Sequence, residues 1–480
     1  MIPDYRKDII SIFIWSTLNI ITSQTPLLAC AIALIEHLII ISLLTRRKYY
    51  EAFKYFLIFV TISLEISAFI TGSNLDTYTF FNVPILHGML NVFEVLWLYF
   101  VIKPYSRAVN FKGNCLFLNR WINILFITGI ISGFITMLIN DNNVLYSGNY
   151  PKTFFLHIIG FIGRFCFYQI SLVYICCLKK YNEVSYLCSN IFIALIFSSV
   201  IMALCGYQGY YGEDKTMLSS LAMGLSPCLL LVSYKGEKIY NTIVFISVCF
   251  AIISSFFYPS VIGSKWYLVL FLVIICYASY VILGKQSPKL LFTCGVLFIA
   301  ALPLISDYVL SIVGTDSYIG YKLRQSFGIL NFKNMTSAMD FMGGMGQSPM
   351  FRFDELHNIF IEHLKKPFFS VFGKGYGGTT LHHTDLLSWE TAMGAFSDDE
   401  IRMNAYHTMH ETLAQVFLTH GFLGIFFVFS LLYRLFKSYE YSGWAIMGFL
   451  FIFFYWNYGM SFSIGTVAVV LSLYQLDNNK

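Results

Sequence analysis

The sequence predicts an all-α integral membrane protein of about 14 transmembrane helices, with one large, partly helical extracytoplasmic loop near its C-terminal end. Three observations predict it. Of 480 residues, 57% are hydrophobic and only 12% are charged, against roughly 25% charge in a soluble domain. Apolar runs of bilayer-crossing length recur along the chain, separated by polar connections. Lys and Arg concentrate in alternate connections, as they do when one side of a membrane retains positive charge. A soluble fold with 48 Phe and 33 Tyr would expose more apolar surface than a monomer tolerates.

A hydrocarbon core of roughly 30 Å needs about 20 apolar residues per helix, and that length sets the elements in order. Arg6 and Lys7 lead into a span near 9–23. No small-x-small cleavage site with a soluble domain behind it follows, so this run reads as a first helix and not as a removed leader. The next runs lie near 26–45, 55–72, 84–102, 121–139 and 154–178. Five more follow near 185–205, 217–234, 239–260, 266–283 and 290–313. After the long connection come 412–433, 441–457 and 460–476. Several contain Gly or Pro, which membrane helices accept. The chain thus divides into a bundle over 1–313, a loop over 314–411 and closing helices over 412–480.

Charge fixes the orientation. One set of connections carries 19 Lys and Arg, from Arg6 and Lys7 through Arg46, Arg47 and Lys48 to Lys480. The opposite short connections carry three: Lys152, Lys215 and Lys265. Both termini are therefore expected in the cytoplasm and the 314–411 loop outside. The formal charge of +5 sits in these connections, and no nucleic-acid partner is expected. The 11 cysteines all lie between Cys30 and Cys294, mostly within apolar runs, and none lies in the loop. They read as small apolar side chains and not as a disulfide framework.

The loop has local order of its own. Residues 350–366 read as an amphipathic helix with Phe353, Leu356, Phe360 and Leu364 on one face, stopped by Lys365, Lys366 and Pro367. An apolar stretch from Phe368 then runs into a Gly-rich turn, Gly373-Lys374-Gly375-Tyr376-Gly377-Gly378. Such a long loop in a compact protein is usually functional.

Ionisable groups inside spans are costly and carry a role or a partner. Here they are Glu36, Glu65, Glu94, Arg164 and Asp307, with mutual pairing of Arg164 and a glutamate set against a ligand role. The loop concentrates His357, His363, His382, His383, His407 and His410 with Arg324, Arg352 and Arg402. His407 and His410 lack a second ligand pair, and the position a zincin helix would fill with His is Ala414, so no metal is expected. The Gly-rich turn lacks the spacing of a nucleotide-binding loop, and no cofactor is expected. A neutral His at the loop-to-helix junction can accept a proton from an attacking hydroxyl. Nearby guanidinium groups can stabilise a departing phosphate without a metal.

These residues resemble the O-antigen polymerase and O-antigen ligase superfamily, membrane glycosyltransferases that use undecaprenyl-pyrophosphate glycans. His410 and Glu411, nine residues, then Gly421 and Gly424 fit that family's spacing, with Glu411 where Asn, Ser or Gln is usual. Arg352 through Leu356, the amphipathic helix, Pro367 and Phe372-Gly373-Lys374-Gly375 are similar to the family's order of Arg, helix, Pro and Phe-Gly-x-Gly. Lys215 stands where the family often has Arg, which removes bidentate phosphate binding at that position. The resemblance implies His410 and Arg352 as catalytic residues and Lys215, Arg164 and Arg324 as substrate-binding ones. It implies a polymerase of surface polysaccharide in the bacterial inner membrane, acting on undecaprenyl-pyrophosphate-linked oligosaccharide among membrane lipid, with a chain-length regulator as a further partner. A ligase acting on a lipid A core and a flippase or transporter remain alternatives. Each residue also has a plainer role: His410 as an interfacial His, Gly421 and Gly424 as helix-packing glycines, and Arg352 as a surface partner of Asp354 or Glu355.

Overall fold

The computed structural model describes residues 5–70, 89–139, 150–204, 347–383, 396–452 and 464–478, apart from a few single positions within those ranges. The described chain is helical, and its only extended pairing is an antiparallel bridge between Thr380 and Tyr406. Numbered in order, the helices are α1 Tyr5–Ser23, α2 Pro26–Thr45, α3 Tyr49–Ile70, α4 Met89–Arg107, α5 Gly113–Ile139, α6 Tyr150–Leu172 and α7 Tyr181–Leu204. Then come α8 Gln347–Leu364, α9 Pro367–Phe372, α10 Asp398–Met403, α11 Thr412–Ser438, α12 Trp444–Leu450 and α13 Ile464–Asn478. The expected spans between 217 and 313, with Asp307, Lys215 and Arg324, lie outside the described residues.

Three described helices, α2, α5 and α11, are long and apolar enough to cross a membrane. Their surfaces carry the same message. On α11, Phe422, Phe426, Phe429, Tyr433 and Phe436 are exposed, alternating steps of four and three. On α5, Ile124, Ile127, Ile131, Phe134 and Leu138 form a second exposed stripe with steps of three and four. Helical spacing keeps each set on one face, so each helix turns an unbroken apolar stripe outward, the reverse of a helix in water.

The buried side holds the helices together. Helix α1 packs on α2, α3 and α7, α4 packs on α6, and α5 contacts α6, α11 and α13. Phe53 on α3 stacks on Tyr174, in the π-helical continuation Val173–Cys177 of α6, with ring centroids 4.5 Å apart. Polar groups inside the bundle are bonded across helices. Asn19 donates to Glu36 at 2.7 Å, and His37 Nδ1 meets Glu94 at 2.9 Å. Cys115, Cys166 and Cys188 are buried free thiols in the apolar core, as their setting in the sequence predicts.

Several boundaries differ from the hydropathic ones. Helix α5 begins at Gly113, eight residues before the expected 121. Its first turns carry Asn114, Asn119 and Arg120, which no apolar window admits. They are helical because the far end of the chain caps them: Asp477 accepts from the Asn114 amide at 2.8 Å and from the Cys115 amide at 2.9 Å. A carboxylate at a helix N-terminus satisfies free N–H groups and complements the helix dipole. Arg434 adds a stack over Phe117 at 3.8 Å and a hydrogen bond to Asn114. The span expected over 441–457 is the seven-residue α12 in its described part.

Candidate functional site

The site is built around a hairpin that the sequence presents as a turn. Helix α8 ends at Leu364, Pro367 opens the short helix α9, and the chain then passes through Gly373 to Gly378. This segment is wedged between α5 and α11 with every residue from Gly373 to Thr380 buried. Its backbone is bonded on both sides. The Lys374 and Gly375 amides donate to the carbonyls of Leu418 and Thr419 at 2.7 and 3.0 Å, and the Tyr376 amide donates to Gly129 at 3.0 Å. Thr136 Oγ1 donates to the Lys374 carbonyl at 2.7 Å.

Those α11 carbonyls are available because α11 is broken at Gly421. Its φ of 58° and ψ of −151° interrupt the helix. The interruption frees acceptors that an unbroken helix would bond four residues on. A Cβ on Gly421 would lie 2.6 Å from the Gly373 nitrogen and the Ser370 oxygen. Gly421 is therefore a kink and docking point, where the spacing alone allowed a helix-packing glycine. The Phe-Gly-x-Gly element and the Gly421/Gly424 element, 46 or more positions apart, are two halves of one contact.

Helix α8 supports the hairpin with its polar side. Phe360 and Leu364 are 41% and 60% exposed, whereas Asp354, Glu355, Asn358, Glu362 and His363 are buried. The polar side is turned inward because it has work there. Glu362 pairs with Lys374 Nζ at 2.9 Å, Lys374 also donates to the Thr379 carbonyl at 2.8 Å, and Asn358 accepts from the His383 amide at 2.6 Å. Ile359 and Leu356 of α8 join the apolar cluster with Phe417 and Leu418 of α11, and Phe360 stacks on Phe417 with ring centroids 6.3 Å apart. His407 pairs with Glu400 at 2.9 Å and is anchored there.

The candidate residues fall in two places. Arg352, on α8, reaches Glu411 at the start of α11, with Nε 2.9 Å from Oε1 and both side chains about a quarter exposed at 22% and 28%. The sequence offered Asp354 or Glu355 as partners; the residue it meets is the one that departs from the family's pattern. His410, which adjoins Glu411, lies outside the described residues, as do Lys215 and Arg324.

Arg164 is elsewhere. It lines a cavity of about 60 Å³ with Phe126, Phe161, Tyr168, Tyr376 and His420. Its guanidinium carbon lies 4.5 Å from the centre of the Phe161 ring, on which Tyr376 stacks at 3.9 Å. His420 meets Tyr376 edge-on at 5.6 Å. No described carboxylate pairs with Arg164: Glu36 bonds Asn19 and Glu94 bonds His37, and the Glu65 side chain is outside the described residues. Nine residues of α11 separate Glu411 from His420, roughly 13 Å at the rise of an α-helix. Arg164 thus shares a cavity with His420, whereas Arg352 pairs with Glu411. Sequence reasoning passed over His420 and Tyr376; the available signal was a lone imidazole within an apolar span, directly before a glycine.

Matched against protein-family models, curated proteins and solved structures, the chain finds no counterpart in any of the three. Fold and site define a class: a helical protein with apolar outer faces, carrying a buried hairpin docked into a kinked helix.

Proposed function

We propose that the protein is a multi-spanning membrane glycosyltransferase that polymerises undecaprenyl-pyrophosphate-linked repeat units at the outer face of the bacterial plasma membrane. The observation that carries this reading is the Arg352–Glu411 contact, which brings the α8 arginine to the residue beside His410. The docking of Gly373 and Gly375 against Leu418–Gly421 supports it, because the sequence elements of the resemblance meet in space.

In this mechanism a sugar hydroxyl of the incoming unit attacks the anomeric carbon of the donor chain. The new C–O bond forms as the bond to the pyrophosphate oxygen breaks, with inversion. The hydroxyl proton passes to His410, and the electron pair leaves on the pyrophosphate. Arg352 exchanges Glu411 for that developing charge, and a guanidinium can meet it through two parallel N–H bonds. Lys215 and Arg324 are the further cations of this site. Arg164, which lines a separate cavity with His420 and Tyr376, is not assigned to it. Holding both substrates in line supplies much of the rate.

Purified protein incubated with lipid-linked repeats should yield polymer, and His410→Ala should abolish it while membrane abundance stays normal. Polymer from the His410→Ala protein would remove His410 from catalysis. Deletion separates the ligase alternative, since loss of a polymerase leaves one repeat on the lipid A core and loss of a ligase leaves a bare core. A ladder of unchanged length after deletion would exclude both.

A further inference from the structure

The proposed transfer reaction does not use the cavity around Arg164. Arg164 makes no hydrogen bond or ion pair with a described residue, and its Nε is buried without a partner. His420, 7% exposed, also turns an unpartnered ring nitrogen, Nδ1, to buried surroundings beside the cavity. Arg164 is partly buried, its Nε is enclosed without a partner at a cost, and stacking on one phenylalanine offsets only part of it. The described lining contains no acid. The pocket therefore has donors and positive charge to offer, and a ligand for it must be an acceptor with negative charge.

Size and charge narrow the ligand. A cavity of about 60 Å³ is large enough for a phosphate-sized group. Arg164 is the single formal charge in the lining, which matches a monoanionic phosphodiester better than a pyrophosphate. The remaining walls are apolar, including Ile122, Leu125 and Phe427. Leu125 and Phe427 adjoin Ile124 and Phe426, which belong to the exposed stripes of α5 and α11. Hydrocarbon attached to a head group here would emerge on the apolar exterior of the bundle. We infer that the Arg164–His420–Tyr376 cavity binds the phosphodiester head of one anionic bilayer phospholipid.

The test uses the full chain, purified in lipid-free detergent and titrated with phosphatidylglycerol, with diacylglycerol of the same chains, and with inorganic phosphate. Native mass spectrometry counts bound lipid, and thermal unfolding reports its effect. One phosphatidylglycerol should bind tightly and raise the unfolding midpoint, while diacylglycerol should do neither. Arg164→Gln should weaken phosphatidylglycerol binding by roughly tenfold or more, the value of a charge-assisted contact. In the absence of lipid this variant should unfold no earlier than the parent, because the substitution removes a partly buried charge whose Nε has no partner. Wild-type lipid retention by Arg164→Gln would overturn the proposal. So would an equal drop in its midpoint with and without lipid, which would make Arg164 purely structural. Saturation by inorganic phosphate alone would reassign the cavity to a free anion. His410→Ala should retain the lipid, so failure of this site and failure of the transferase reading are separately visible.

Discussion

A methyl group on Gly375 would lie 1.9 Å from the Gly133 nitrogen, and on Gly421 it would meet the backbone of Gly373 at 2.6 Å with a φ of 58° already in place. Backbone cannot move aside as a side-chain tip can. Gly375→Ala and Gly421→Ala should each cost at least about 3 kcal/mol, by overpacking and by left-handed strain. Thermal unfolding in detergent should show this as a sharply lowered midpoint, whereas a change within error would mean the hairpin is not docked. The Arg352–Glu411 pair is different in kind. Both side chains are partly exposed, so Glu411→Gln should alter stability by no more than about 1 kcal/mol. Polymer formation should survive it, since Gln is a residue the resembling family uses there. Arg352→Ala should lower polymer yield by roughly two orders of magnitude, as loss of a charge stabiliser does. At this scale the sequence revealed which glycines matter, through their spacing, but not why. Positive φ and close approach are properties of two segments together, and neither segment contains the other's coordinates. His420 was passed over for a related reason: a neutral imidazole in an apolar run carries no obvious cost until its unpartnered nitrogen is seen.

Among elements, α8 shows how tertiary demand overrides a local pattern. Its apolar face was readable from Phe353, Leu356, Phe360 and Leu364. The structure also buries Glu362 and Asn358, which pair with buried Lys374 and accept from the His383 amide. Lys374 is 3% exposed and Glu362 10%, so removing one member strands a charge. Lys374→Met should cost about 3–5 kcal/mol, and the double change Lys374→Met with Glu362→Leu should recover much of that. A double-mutant cycle on the unfolding midpoint measures the coupling; strict additivity would mean that the two do not interact. Helix α5 teaches the same lesson at its start. Its polar first turn is stable only because Asp477 caps it, so Asp477→Ala should destabilise the protein by about 1 kcal/mol. Apolar run length located α2 and the start of α11 to the residue, while α11 runs five residues past the expected 433. It failed where a cap from a remote element, not hydropathy, sets the boundary.

For the molecule as a whole, composition and charge placement predict a direction across the membrane that helix geometry alone does not supply. Lys48 lies exposed in the turn between α2 and α3, and His357 lies exposed on α8. An impermeant maleimide should label His357→Cys in intact cells and Lys48→Cys only after permeabilisation. Labelling of both from one side would refute the orientation and with it the outward-facing site. The apolar stripes on α5 and α11 agree with the class that composition predicts, because outward-facing Phe and Ile at helical spacing suit hydrocarbon and not water.

The hairpin also has a history in time. Tyr376 bonds to Leu125 across 251 positions, and Thr136 bonds to Lys374 across 238. The ribosome therefore finishes α5 long before it makes the segment that fills the gap beside Gly129 and Gly133. Its other wall, α11, is made later still. Closing such distant contacts is the slow part of assembly. A nascent chain halted before α11 would already have its early helices inserted, yet it would have nowhere to seat the hairpin. The hairpin can therefore reach its docked position only after α11 has been made.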